Sequence, residues 1–453
     1  MRTLKVAAAV VASLVALPCA AHGKFHHHDG RFRDLGREVL PPNDGWAAFG
    51  TGTTGGALAT PDQVYVVRNR AELIAALNNG VFSSTSPSNP SNEPKIIYVK
   101  GTIDFNVDDE NRPLKCEDYY RDGYTLEAFL ATYDPAVWGR VDPSGPLEDA
   151  RLASRNAQQA RVRIRVGSNT TIVGLGKHAT LRGVWLDIRG TANVPNSRSN
   201  IIIRNLTFED TYDCFPEWSP TDGAQGAWNA LYDSISLRDT NNVWIDHNTF
   251  RDRRTRDELQ PHYFGVLYQV HDGLLDITNA SDLVTVSWNR FETHDKVSLV
   301  GSSDGAVADR GKLRVTFHHN LYEGVNQRSP RVRFGQVHVY NNYYKVERQP
   351  DFQYSWGVGI ESAIYAENNF FRIHKSVTPD RLIARFNGTA IFEAGTLVHA
   401  KKLRPVDLVA EWNAVNDPDL GTDVGWAPSL FRFVQPTLLV PLTVELGAGP
   451  FNW

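Results

Sequence analysis

The chain has 453 residues, with 47 basic against 51 acidic side chains and a formal net charge of −4. That length allows a large core, and there is no global basic field of the kind that suits nucleic acid. Beyond the N-terminus no run approaches the roughly 18 apolar residues of a membrane span. Any charge-based function has to be local.

Residues 1–21 open with Arg2 and Lys5, continue as an apolar run and end in small residues at Ala21. This is the pattern of a secretory signal peptide, so export to the periplasm or the medium is expected. Residues 22–40, with the FHHHDG tract at Phe25 to Gly30, read as a mobile tail beside the cleavage site. No linker rich in Pro, Gly or Ser divides the remaining chain, so 41–453 reads as one domain. Its two cysteines, Cys116 and Cys214, can form a disulfide in an exported protein or serve as small buried hydrophobes.

GTGTTG (Gly50 to Gly55) meets the dinucleotide pattern GxGxxG, but a polar GGALATPDQ stands where a helix is needed, so a turn is expected. KIIYVKGTIDF and TTIVGLG look like early strands, and GPLEDARLASRNAQQARVRI like a polar helix that caps an open N-terminal end.

From about residue 200 one pattern recurs: apolar, any, apolar, two residues, Asn, any, Phe or Tyr. It appears as VWIDHNTF, VTVSWNRF, VTFHHNLY, VHVYNNYY and IYAENNFF, and as IIIRNLTF with Leu206 in the Asn place. The Asn-equivalent positions are 206, 248, 289, 320, 342 and 369, with intervals of 42, 41, 31, 22 and 27 residues. Units this short cannot bury their own apolar face, so they must stack. Period-two alternation predicts strands, and the recurring Asn a bend whose amide bonds the next copy. The expected fold is all-β: a parallel β-helix with Asn and aromatic ladders, the longer intervals forming surface loops. The last 80 residues or so should wrap back over its surface.

GSSDG (Gly301 to Gly305) meets the nucleophile pattern GxSxG, yet polar AVADRGK comes next instead of an apolar helix, so Ser303 reads as a turn residue. Two charged groups then remain. Asp233, Asp272 and Asp276 would form an oxygen-rich site for a hard cation such as calcium. Lys296, Arg328, Arg331 and Arg333 supply positive charge, with Arg331 expected in a structural ion pair. A cation site beside a basic patch suits an anionic polymer such as a polyuronate, and could assist proton removal next to a carboxylate.

At WIDHNTF, DGLLDI, THDKVSLVGSSD and RVTFHHNLYEGVNQRSPRVRFGQVHVYNNYY the chain resembles pectate lyases of polysaccharide lyase family 1. The resemblance runs from Asn43 to the repeats near residue 371. It implies a right-handed parallel β-helix and calcium-dependent β-elimination of α-1,4-linked polygalacturonate. It also implies Asp233, Asp272 and Asp276 as calcium ligands, Arg328 as the base at C5, and Lys296 and Arg333 as binders of substrate carboxylates. Leu231 stands where some members carry a further acidic ligand. With Arg333, Lys296 and calcium nearby, the Arg328 guanidinium is expected to titrate below its ordinary value. The alternatives are a pectin lyase acting on methyl-esterified polymer, which would not need three carboxylates, and a non-catalytic polyuronate-binding protein. Nothing in the sequence suggests an oligomer, so a monomer is expected.

Overall fold

The structure is a computed structural model that describes residues 34–82, 90–194, 197–348 and 351–452. The signal peptide and the FHHHDG tract lie outside the described residues. Residues 34–40, expected within the mobile tail, are instead packed on the fold. Leu35 and Leu40 are buried, Leu35 against Ile96, Tyr98 and Val173.

The chain winds as a parallel β-helix of three sheets, as the repeat predicted. The first sheet has ten strands from Val64–Val67 to Ile391–Ala394. The second has ten from Thr102–Asp104 to Leu403–Pro405, only the last antiparallel. The third has eight from Arg163–Ile164 to Ile383–Phe386. One coil shows the path: Asn241–Asp246 in the first sheet, Thr249–Arg251 in the second, Leu275–Thr278 in the third, then Asp282–Ser287 one coil on.

In the six sequence repeats only two residues turn the chain between the first two sheets. The leading one is left-handed in every repeat: Asn205, His247, Trp288, His319, Asn341 and Asn368, at φ between 49° and 57°. That conformation is costly for a residue with a Cβ, and His247, Trp288 and His319 gain ring stacking on one another there. The second residue is the ladder Asn. Asn248 donates its backbone N–H to Asn289 Oδ1 at 2.9 Å and its side-chain amide to the same oxygen at 3.1 Å. Asn289, Asn320 and Asn342 repeat both bonds to the coil above. Leu206 ends the ladder, where only its backbone N–H has to donate, to Asn248 Oδ1. Inside this turn Phe208, Phe250, Phe291, Tyr322, Tyr344 and Phe371 stack with centroids 4.3–5.1 Å apart.

The predicted polar helix forms as Pro146–Val162, but it does not cap the solenoid. Its Ala150 packs in a separate cluster with Tyr124, Phe129, Phe215, Trp218 and Trp228. The helix that buries Leu73, Ile74 and Leu77 against the first coils is Arg70–Leu77. Cys116 and Cys214 form a disulfide that ties this side cluster together.

Two faces are covered by the chain's own ends. The N-terminal segment lies on the first sheet, with the Trp46 and Ala47 amides bonded to the hydroxyls of Thr316 and Thr285. The C-terminal segment runs back along the second sheet, from Gln435 at Asn341 to Phe451 at Asn205. The third sheet is left to the long loops.

Candidate active site

Three acidic side chains meet at the start of the third sheet. Asp233 precedes Ile235–Arg238, and Asp276 lies one coil on within Leu275–Thr278, in register with Ser236. Inward-facing Ile235, Leu275 and Ile277 fill the core, so the alternation of the strand turns Asp276 outward. Asp233 and Asp276 are buried, whereas the Asp272 side chain keeps 32% of its surface. The four-residue spacing brings Asp272 and Asp276 together across a strand entrance, not on a helix.

Gly273 is the point about which they gather. Its N–H donates to Asp233 Oδ1 at 2.9 Å. A methyl group on its Cα would stand 2.5 Å from Asp276 Oδ1 and 2.9 Å from Asp233 Oδ1. The Leu299 N–H holds Asp276 Oδ1 at 3.0 Å, and the Ser236 hydroxyl bonds Asp233 Oδ2. Burial raises both carboxyls above the usual range. Repulsion adds to it, from Asp276 and Asp272 on Asp233 and from Asp272 on Asp276. An all-oxygen set gathered against its own repulsion, around a residue without a side chain, fits a hard divalent cation.

The cationic groups arrive from the second sheet. Lys296 is the last residue of the strand Arg290–Lys296, with Nζ 3.6 Å from Asp272 Oδ1. Arg328 comes directly after Leu321–Gln327 at φ 60°, a left-handed conformation that costs about 1–3 kcal/mol and persists where surroundings enforce it. The enforcing bonds are Ser298 N–H to Arg328 O and Ser329 N–H to Ser355 O, both 2.7 Å. The Arg328 Nε is buried with no hydrogen-bond partner.

The expected lowering of Arg328 is not met in this site. Burial alone would lower the guanidinium, but Asp276, then Asp272, Tyr354 and Asp295, outweigh it and raise the group above its ordinary value. Arg333 is engaged elsewhere: it is buried, with Nε 2.6 Å from Asp304 Oδ1 and Nη1 2.9 Å from Gly301 O. Arg331 is also corrected. It forms no ion pair among the described residues, and its guanidinium lies 3.8 Å over the Phe386 ring.

The pectate lyase family profile matches residues 137–417, well over half the chain. A pectate lyase of Bacillus subtilis (strain 168) is 43% identical over 92% of this chain and 95% of its own. A thermostable pectate lyase superposes with a TM-score of 0.88 at 48% identity, over 93% of this chain and all of that one. A pectate lyase bound to a hexasaccharide superposes at 0.84 and 42% identity, over 92% and 99%. The chain belongs to the pectate lyase family. It is a polysaccharide lyase.

Several residues that build this lyase's site escaped the sequence reading. Asp213 is buried beside the disulfide, and its N–H donates to Val270 O at 2.8 Å while its Oδ2 accepts from the Leu231 N–H at 3.2 Å. It therefore joins both segments that lead to the acidic cluster. Leu231, which stands in place of a further acid, packs partly buried against the core. His294 sits under Asp272, with Nε2 2.8 Å from the Asp272 carbonyl and Nδ1 2.6 Å from Asp252 Oδ2. Burial opposes its charge, but Asp252 raises the imidazole to about 9. Asp252, His271 and His294 bring potential metal-ligand atoms within 4.8 Å of one another. Both nitrogens of His271 face carbonyls, of Thr211 and Thr255. Those of His294 face an acceptor each, so the nitrogens of both rings are already engaged within the protein. The THDK motif carried one signal for His294; Asp213 had none, because its partners are backbone groups from distant loops.

The two decoy motifs are turns. The Thr54 and Gly55 amides of GTGTTG bond Asn200 Oδ1. GSSDG leads into a short 3-10 turn at Val307–Asp309, and its Asp304 serves Arg333.

Proposed function

We propose that this lyase cleaves α-1,4-linked polygalacturonate by calcium-dependent β-elimination, with Arg328 as the base at C5. The carrying observation is the juxtaposition of a strained, half-buried Arg328, its Nε buried and unpartnered, with a cluster of three carboxylates that fits a cation. Asp233, Asp272 and Asp276 are the residues that would hold calcium. Lys296 holds a uronate carboxylate of the polymer, and Arg333 joins it only by giving up Asp304. The relative bound to a hexasaccharide supports a saccharide as the ligand. Calcium, when bound, would neutralise these aspartates, ease loss of the arginine's proton and acidify the C5 hydrogen through the uronate carboxylate.

Arg328 takes the proton from C5, the C5–H electrons form the C4–C5 double bond, and the C4–O4 bond breaks. O4 leaves with a proton drawn from water, giving a 4,5-unsaturated end. Because the guanidinium must arrive unprotonated, turnover rises with pH into the alkaline range. Arg2, Lys5 and the apolar run to Ala21 support export. Among the described residues no helix is long and apolar enough to cross a membrane.

The direct test is Arg328→Lys, assayed at fixed calcium and substrate. Turnover is expected to fall about 10²–10⁴-fold, while retention on polygalacturonate gels persists. Near-full turnover would remove Arg328 from this role.

A further inference from the structure

A cavity of about 460 Å³ opens on the outer face of the second sheet, under the C-terminal residues Ala448, Gly449 and Pro450. It lies apart from the acidic cluster, which gathers where the third sheet begins. Five cations line it, Lys177, Arg182, Arg251, Arg253 and Arg290, against the single carboxylate of Glu209. On a chain of net charge −4 this is a local inversion of sign.

Part of the charge is answered. Arg182 and Arg251 share Glu209 at 3.0 Å each, and Arg290 bonds Glu292 at 2.7 Å. Lys177 and Arg253 are exposed and carry no ion pair among the described residues. Between them runs a row of hydroxyls, since Thr180, Thr207 and Thr249 stand in register on adjacent strands. Thr207 and Thr249 are 7% and 6% exposed, face the cavity, and find no side-chain hydrogen-bond partner among the described residues. Unpartnered hydroxyls on nearly buried threonines, open to the cavity and set among guanidinium and ammonium groups, describe a site for an anion with several acceptor oxygens.

We infer that this cavity is a second, non-catalytic binding site for a uronate carboxylate and its neighbouring hydroxyls. The inference rests on the reading that the enzyme's polymer is a polyuronate. Threonine hydroxyls and guanidinium forks together match a sugar acid better than a bare inorganic ion. Such a site would hold one stretch of polymer against the back of the solenoid while another is cleaved.

The test is calorimetric titration of the full protein, in excess chelator so that no elimination occurs, with trigalacturonate and, in parallel, inorganic phosphate, for the parent and for the double variant Lys177→Ala, Arg253→Ala. Both substitutions fall on exposed side chains, so the fold is retained. Two classes of site are expected in the parent and one in the variant. Retention on polygalacturonate gels at low salt should weaken roughly fivefold, the effect of two exposed ion pairs. Turnover of trigalacturonate should stay unchanged. A single class of site in the parent, or identical retention by both proteins, would overturn the inference. So would a second site that takes phosphate and not trigalacturonate. Loss of ultraviolet-absorbing product from the parent would count against the lyase reading alone, because the calorimetry judges this site independently of turnover.

Discussion

Gly273 carries as much of the proposed cation site as any aspartate does, though it contributes no side chain. Its φ lies outside the left-handed region, so alanine is acceptable to the backbone there. The added methyl would meet Asp276 Oδ1 at 2.5 Å and Asp233 Oδ1 at 2.9 Å. Gly273→Ala is therefore a probe of carboxylate placement alone. Calcium affinity, measured by titration calorimetry, should fall at least tenfold, in line with losses from disturbed ligand support. Near-ultraviolet circular dichroism should remain that of the parent. Unchanged affinity would show that the cation does not lie between these two carboxylates. Arg328 presents the complementary case: its side chain was legible in QRSPRVRFG, but its electrostatics were not. The sequence places Arg331 and Arg333 beside it. Asp304 of a distant turn engages Arg333, and Phe386 covers Arg331, so the carboxylates dominate what Arg328 experiences.

The two-residue turn between the first and second sheets is the element that fixes the register of the solenoid. Each ladder Asn satisfies backbone groups on its own coil and the next. Asn289 accepts twice from Asn248 and donates to Ile245 O, Ser287 O and Asn320 Oδ1. Asn289→Ala leaves several buried groups unpaired at once and should destabilise by about 2–4 kcal/mol in urea unfolding. A loss under about 1 kcal/mol would mean that water or neighbouring groups replace the ladder. Repetition made this element legible: the aromatic returns in all six copies and the Asn in five, so their stacking could be expected from the sequence. The helices were less so. Pro146–Val162 reads as polar and helical, yet its packing partners, Phe215, Trp218 and Trp228, come from loops whose course no local pattern sets. Arg70–Leu77 shows a burial on nearly all sides that eight residues of sequence do not announce.

At the scale of the whole molecule, the chain's ends cover two faces and the loops keep the third for the site. The N-terminal cover is fastened partly by Asp44, buried near His318, whose Nε2 lies 3.5 Å from Asp44 Oδ1. Burial, with repulsion from Asp246, raises the Asp44 carboxyl to about 6. The folded protein thus holds this proton more tightly than the unfolded chain, so stability falls as pH rises from about 4 to about 6. Asp44→Asn removes that dependence, and its amide can donate to His318. In urea unfolding with chelator present, the variant and parent should agree at pH 4. At pH 7.5 the variant should be more stable by about 2–3 kcal/mol. A variant that is less stable at pH 7.5 would mean the carboxylate is a net fastener of the cover.

The proposed calcium-dependent elimination can be measured as ultraviolet absorbance of polygalacturonate mixed with purified protein at alkaline pH, with calcium and then with excess chelator. A rise that chelator abolishes and added calcium restores is the predicted result. A rise indifferent to chelator, or one seen only on methyl-esterified polymer, would contradict it and strip the three aspartates of their assigned role.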